Sequence, residues 1–493
     1  MGRKGHKGER ASTGMRAQQH WQDAERAIPA AQDTRVADAP RPLSRFMLLL
    51  FMMGMVIPIW MRVGPLLLMP HRIVLLVLFV PLLISLLSGR AGRVRGCDLL
   101  MMGSAAWAAL ALAVKGSVLG ASVPQQIGIY VLESFGAYLL ARVAIRSSAD
   151  FLYFTRLFFF ALLVLVPFGV LEAVTHRAVM LELIPKSVGI VYTAERWGLR
   201  RAQTVFGHPI LFGVFCSVGF GLFWHVMRTR LTRIGGSALS FIGTFVSLSS
   251  GALVAITMQV LFMGWDMMTR SMPRRWTVFA GLSVLAYVAI DLLSNRTPFH
   301  VLITYATFNS GSAYNRILIW RFGMENVWAN PMFGLGADIT TWARPAWMSS
   351  SADNYWLLLT MQYGIPCFLM LAGALTLIIR QVGLAALKSP VEMACRAGYL
   401  TAAGGLIIAG GTVHFWHGVM AFVMFFLGSG VWLIDAGARA REAAETDAAP
   451  ADGPLPEVPP GGLIYTRQQT RHDRREAAPP PLRRRAGQKA RGR

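Results

Sequence analysis

Charge is scarce in this chain. Asp, Glu, Lys and Arg make up 15% of its 493 residues, against roughly 25% in an average soluble domain. Cysteine is scarcer still, with four residues: Cys97, Cys216, Cys367 and Cys395. They stand isolated, with no CxxC pair and no Cys/His spacing of the metal-binding kind, which argues against a disulfide framework and a zinc site. The first 45 residues are polar and the first apolar block lacks an A-x-A-like end, so no cleavable signal is expected. A disordered chain, a secreted disulfide scaffold and a set of soluble domains are all excluded by what is abundant instead: 54% of the residues are hydrophobic.

The apolar residues come in blocks that follow one another from Phe46 to Asp435. About 20 apolar residues make one membrane-spanning helix. The pattern predicts an all-α, polytopic transmembrane bundle of about 12 spans with two long periplasmic loops. The spans are expected near 46–61, 71–88, 98–114, 125–145, 157–175, 208–227, 235–248, 251–269, 275–294, 353–379, 394–412 and 417–436. Residues 1–45 and 437–493 are expected to be disordered basic cytoplasmic tails flanking a transmembrane domain, 46–436.

The formal net charge is +23. The two tails hold +4 and +5 of it, and the rest lies in loops and helix ends. That distribution suits anionic headgroups and topology control rather than nucleic acid. Loops 89–97, 142–156, 228–234, 270–275 and 380–396 each carry three basic residues, whereas 115–124 holds only Lys115 and 413–416 holds none. The positive-inside rule then puts both termini in the cytoplasm.

Two external loops, about 176–207 and 295–352, break the pattern by carrying arginine on the side where it is depleted. Long loops of this kind are often functional. Three stretches in and beside them stand out. One runs from Arg200-Arg201 through His208-Pro209 to Gly213. The second, Ser247-Leu-Ser-Ser-Gly251, interrupts a long apolar run. The third begins at Asn315-Arg316 and Trp320, passes through Asn330-Pro331-Met-Phe-Gly334-Leu-Gly336, and ends at Asp353-Asn354-Tyr355.

In these stretches, over about residues 190–375, the chain resembles the O-antigen ligase and polysaccharide polymerase family of bacterial inner membranes. The resemblance rests on the Arg-x(6)-His-Pro run, the Ser/Gly break, Arg-xxx-Trp, NP-x-FG-x-G and an Asp-Asn-Tyr ahead of the next span. It implies an inner-membrane glycosyltransferase, inverting and metal-independent, without a cofactor. Such an enzyme takes a glycan from undecaprenyl diphosphate on the periplasmic face and passes it to a sugar hydroxyl. It also implies that Arg201 and Arg316 hold the diphosphate, a role suited to planar, permanently charged, bidentate groups. Arg200 is the neighbour to distinguish from Arg201, and Arg321 is a lesser candidate.

Ligases of this family carry a histidine near the start of the span after the second loop; here Asp353-Asn354 stands in its place. That difference shifts the expectation from ligase to polymerase. Asp353 is the expected general base, although a helix N-cap is an equally natural place for it. His208 is the other candidate base. Trp320, Asn354 and Tyr355 are expected at the substrate. Membrane lipids and a carrier-linked oligosaccharide are the expected partners, with a chain-length regulator a candidate. The alternative in another class is a secondary transporter or lipid-linked glycan flippase. It would draw on Glu133, an ionisable group in mid-span; against it, a transporter should group several charged residues at that depth, and Glu133 is expected to stand nearly alone.

Overall fold

The computed structural model describes residues 41–63, 66–120, 122–184, 189–294, 301 and 310–448. Both expected tails lie almost wholly outside these, as do Lys186 and Arg296 of the arginine-bearing loops. One compact unit extends to Glu442. Of the second unit, 443–493, residues 443–448 are described and are helical.

The chain is an all-α bundle. Its helices are α1 (Pro42–Val56), α2 (Pro70–Leu87), α3 (Gly96–Lys115), α4 (Val123–Ala144), α5 (Ser148–Thr175), α6 (Val179–Leu183), α7 (Pro209–Val226), α8 (Arg230–Val246), α9 (Ser250–Met268) and α10 (Arg275–Leu293). They continue with α11 (Ser310–Ala329), α12 (Tyr355–Tyr363), α13 (Ile365–Gly383), α14 (Pro390–Ala409), α15 (Gly418–Gly428) and α16 (Trp432–Ala448). Among the described residues, nine helical stretches are long and apolar enough to cross a membrane. The expected count of twelve additionally needs α1, α8 and α14, which are shorter or less apolar than those nine.

Proline opens α1, α2, α7 and α14, where a missing N–H costs nothing and the fixed φ favours the first turn. A three-residue antiparallel hairpin, Met61–Val63 with Leu66–Leu68, joins α1 to α2. The basic loop expected at 142–156 shrinks to three residues between α4 and α5. Arg142, placed in that loop by its charge, is instead fully buried at the end of α4. Its Nη1 lies 3.1 Å from Asp435 and its Nε 3.5 Å from Asp98. A charge that has acidic partners inside the bundle has no need of water.

Aromatic side chains fill the centre. Phe154, Phe158, Phe215, Phe422 and Phe425 pack ring on ring between α5, α7 and α15, with neighbouring centroids 4.5–6.5 Å apart. Where α7 kinks near Val218, the buried Gln259 side chain accepts from Gly221 N–H and donates to the Ser217 carbonyl, both at 2.9 Å. A polar side chain from a neighbouring helix thereby satisfies backbone groups released inside the bundle.

The two long loops are partly structured. The first contains α6 and, at 200–203, a segment without regular secondary structure. The second contains α11, with its own small core of Leu318, Ile319, Val327, Trp342, Met348, Leu357 and Met361. The NP-x-FG-x-G run straps this part to the bundle. Gly334 and Gly336 take positive φ of 61° and 67°, and Leu335 N–H donates to Met361 O at 2.8 Å. A Cβ on Gly334 would run into the backbone of Met361 and Gln362, so only glycine allows that approach.

Candidate active site

The segment 200–203 is tied to two helices. Arg200 N–H bonds the Ala173 carbonyl at the end of α5, and Ala202 N–H bonds the Val246 carbonyl at the end of α8. Arg200 turns towards α5, where its Nε lies 3.4 Å from the buried Glu172 carboxylate and its Nη1 donates to His176 O. The same carboxylate accepts from Thr204 N–H at 2.9 Å. Arg200 thus fastens the loop to the bundle, away from the place expected for it beside the substrate.

Arg201 turns the other way, onto the Ser/Gly break. Its Nε donates to the Ser247 carbonyl at 3.3 Å. The break is a tight turn between α8 and α9, with Leu248 in the left-handed region at φ 48°. It is packed so closely that a Cβ on Gly213 would overlap the Ser247 hydroxyl and one on Gly251 would overlap Val413. Arg316, in the second turn of α11, reaches the same turn. Its Nη2 donates to Ser250 Oγ at 3.2 Å. The two arginines expected to act together thus grip the two ends of one four-residue turn, Ser247 and Ser250.

A third arginine joins them. Arg196 Nη1 donates to the Leu248 carbonyl at 2.6 Å. Arg196 lies in the first arginine-bearing loop but ahead of the Arg-x(6)-His-Pro run, so no motif marks it. A short bridge between Arg196 and Leu199, closed by Gly198 at φ 70°, aims it at the break. Burial lowers the pKa of all three guanidiniums. For Arg201 burial acts first, the Arg196 charge adds to it and Asp353 opposes it, leaving the value at about 10. For Arg316 burial again acts first, with Asp353 opposing and Arg196 reinforcing. All three remain cations at neutral pH, in a half-buried place where an anion would relieve their mutual repulsion.

Asp353 is the half-buried carboxylate that both Arg201 and Arg316 sense. It does not cap α12. That role falls to Asn354, whose Oδ1 accepts from Leu357 N–H at 3.0 Å and whose side chain is buried. Asp353 accepts from the Ser351 hydroxyl at 3.3 Å. Tyr355, also expected at the substrate, is 3% exposed and packs among Trp356, Phe415 and His414. Asn354 and Tyr355 hence belong to the frame of the site.

Trp320 lies one helical turn after Arg316, on the same face of α11, and is 38% exposed. Arg321 is five residues on, about 140° around the helix by the 3.6-residue turn. Its side chain is 72% exposed and faces Glu325 at 3.9 Å. It is not among the groups at the break.

His208 caps α7 with its own ring. Nδ1 accepts from Ile210 N–H at 3.2 Å, which puts the ring hydrogen on Nε2. Burial, helped by the Arg201 charge, pushes its pKa down to about 4. A ring with one nitrogen committed to a cap and so low a proton affinity is a poor general base. Its ring lies 5.4 Å from Trp416, which stacks on His414 at 5.3 Å, which in turn stacks on Tyr355 at 6.2 Å. Loop 410–417 therefore backs the whole site. Lacking Lys and Arg, it registered in the sequence only as a topology signal.

Glu133 corrects another expectation. It does not stand alone. It is buried in a π-turn of α4, accepting from Arg72 Nε at 2.7 Å with His71 Nε2 at 3.2 Å. Arg72 Nη2 also reaches His417 Nδ1, at 3.3 Å.

The model of a family described as O-antigen ligase matches residues 235–372. The matched stretch contains the Ser247–Ser250 break, Arg316, the NP-x-FG-x-G strap and Asp353; Arg196, Arg201 and His208 lie ahead of it. The match supports the O-antigen ligase and polymerase family and, with it, a glycan transferase in a membrane. No curated protein matches the chain.

Proposed function

We propose, on the premise of that family, that the chain is a polymerase acting at the periplasmic face of the bacterial inner membrane. It transfers a glycan from undecaprenyl diphosphate to a sugar hydroxyl of a second carrier-linked glycan, in exopolysaccharide or O-antigen synthesis. The observation that carries the reading is the meeting of Arg201 and Arg316 on one turn, with Asp353 beside both.

The chemistry is a single displacement. The acceptor oxygen forms its bond to the anomeric carbon from the face opposite the diphosphate. The bond from that carbon to the phosphate oxygen breaks, and its electron pair leaves with the diphosphate. Configuration inverts. Arg201 and Arg316, with Arg196 adding to the field, stabilise the leaving anion as its charge grows. Asp353 accepts the acceptor's hydroxyl proton as that oxygen loses it. The guanidiniums supply the positive charge at the leaving group, so transfer is expected to proceed in EDTA.

The ligase reading draws on one structural observation. The argument against it was the missing histidine at the start of α12, yet His414 reaches the same place by stacking on Tyr355 from another loop. The flippase reading loses the objection that Glu133 stands alone, because His71, Arg72 and His417 gather round it, but that carboxylate is committed to Arg72 and His71. Neutralising it would strand a buried guanidinium and destabilise the bundle, so lost function in Glu133→Gln would not signify transport.

The deciding experiment is incubation of the purified protein in EDTA with a defined undecaprenyl-diphosphate oligosaccharide as the only glycan. Elongation establishes the polymerase. Transfer seen only after lipid A-core is added establishes the ligase. Release of neither diphosphate nor longer glycan refutes both, and activity that returns only with magnesium refutes the metal-free mechanism.

A further inference from the structure

A small, partly open cavity is used by nothing in the mechanism above. Its walls include Trp60, His71, Phe206, Gly207 and His417. Gly207 precedes His208 and His417 follows Trp416, and those two rings are 5.4 Å apart. The cavity thus adjoins the site through the His208–Trp416 contact.

Its polar groups are arranged by the buried ion pair behind it. A carboxylate only accepts, so the His71 nitrogen facing Glu133, Nε2, carries a hydrogen, and Nδ1 is the acceptor in the tautomer this contact selects. A guanidinium only donates, so the His417 nitrogen facing Arg72, Nδ1, is an acceptor, and the hydrogen sits on Nε2. Arg72 and Glu133 therefore set both tautomers and give the cavity one imidazole acceptor and one imidazole donor. Their own charges cancel at 2.7 Å, which leaves little to attract a phosphate. Trp60 stands edge-on to His417 at 5.5 Å and contributes an indole surface. A paired donor and acceptor beside an aromatic ring match a hydroxyl-bearing ring without charge.

We propose that this cavity is a sugar-binding subsite: it holds one neutral pyranose ring of a glycan being joined, with hydroxyls on His71 and His417 and a ring face against Trp60. The proposal rests on the transferase reading for its role, but not for the binding itself. Donor and acceptor glycans both present such rings, and kinetics separates them.

Two measurements test the subsite. The first is saturation-transfer NMR on the purified full chain with the methyl glycosides of glucose, galactose, mannose and N-acetylglucosamine. At least one is expected to bind the parent protein and the Arg201→Ala variant. Its signal should fall at least fivefold in Trp60→Ala and His417→Phe, with thermal unfolding checking that each variant folds. Trp60 is half-exposed, so Trp60→Ala remains informative if His417→Phe fails to fold.

The second is the KM for each glycan in the transfer reaction. A tenfold rise for the acceptor in Trp60→Ala assigns the subsite to the acceptor, and the same rise for the donor assigns it to the donor. Glycoside binding in a protein that transfers nothing would keep the subsite and sink the transferase reading. Transfer with unchanged KM values and undiminished glycoside signals in folded variants would sink the subsite alone. Absence of glycoside binding to the parent protein would also overturn it.

Discussion

Arg200 and Arg201, consecutive in the chain, hold opposite sides of one loop: the first lies 3.4 Å from the Glu172 carboxylate and the second donates to the Ser247 carbonyl at 3.3 Å. One pins the loop to α5 and the other carries charge to the break. Their substitutions should therefore fail in different ways.

For Arg201→Ala and Arg316→Ala the expected result is loss of polymer, with the protein still inserted and stable. Removing one preorganised donor from a developing anion costs on the order of 10²–10³ in rate. Lysine at either position should restore part of it, since the charge returns but the planar fork does not. Chain-length profiles of the lipid-linked glycan report this directly, and wild-type profiles from both alanine variants would remove these residues from the site.

Arg200→Ala should lower stability first. It leaves the Glu172 carboxylate, 2% exposed, without its cation. A buried ion pair broken on one side is strongly destabilising. The detergent-solubilised variant is expected to unfold several degrees lower while its folded fraction still transfers glycan. A normal melting temperature combined with abolished transfer would contradict this division of labour.

Asp353 and Asn354 form a second contrasting pair. Asp353→Asn should cut the transfer rate by on the order of 10²–10⁴, the range of general acid–base catalysis, with little change in melting temperature. Asn354→Ala removes the α12 cap and should cost about 1 kcal/mol of stability. Equal rate losses in the two variants would mean that Asp353 acts through structure.

Acid should destabilise the protein through its buried histidines. Burial pushes His208 and His417 down to about 4 and His414 to about 3. The Arg201 charge adds to this at His208. At His417 the neighbouring Glu133 opposes burial, while Arg72 and His71 reinforce it. Unfolded, each would titrate near 6.5. Between the two values the unfolded chain binds more protons, so stability is full above about pH 6.5 and falls as pH drops towards 4. Melting temperatures across that window check the sign. A flat profile from pH 7 to 4 would mean that these rings are already protonated or solvated in the fold.

Much of this was legible in the chain itself. Apolar blocks of spanning length mark the helices, and the Ser247–Gly251 interruption was visible because it breaks such a block. The Arg201, Arg316 and Asp353 assignments came from motif order. Side-chain direction was not legible. Arg200 and Arg201 have the same chemistry and adjacent positions, and only the partners each meets in the fold, Glu172 and the Ser247 carbonyl, separate them. Asp353 could be read as a helix cap until the start of α12 was known to within one residue, which gives that role to Asn354.

Composition and hydropathy by themselves determined that the chain folds as a helical bundle, since an apolar segment in lipid must satisfy its backbone internally. Tertiary structure alone decided which polar groups meet. Glu133 finds His71 across 62 residues, and Arg72 finds His417 across 345. Arg196 joins the turn from a position outside every motif. Contacts between distant segments depend on how the helices pack against one another, and no local pattern of residue types records that.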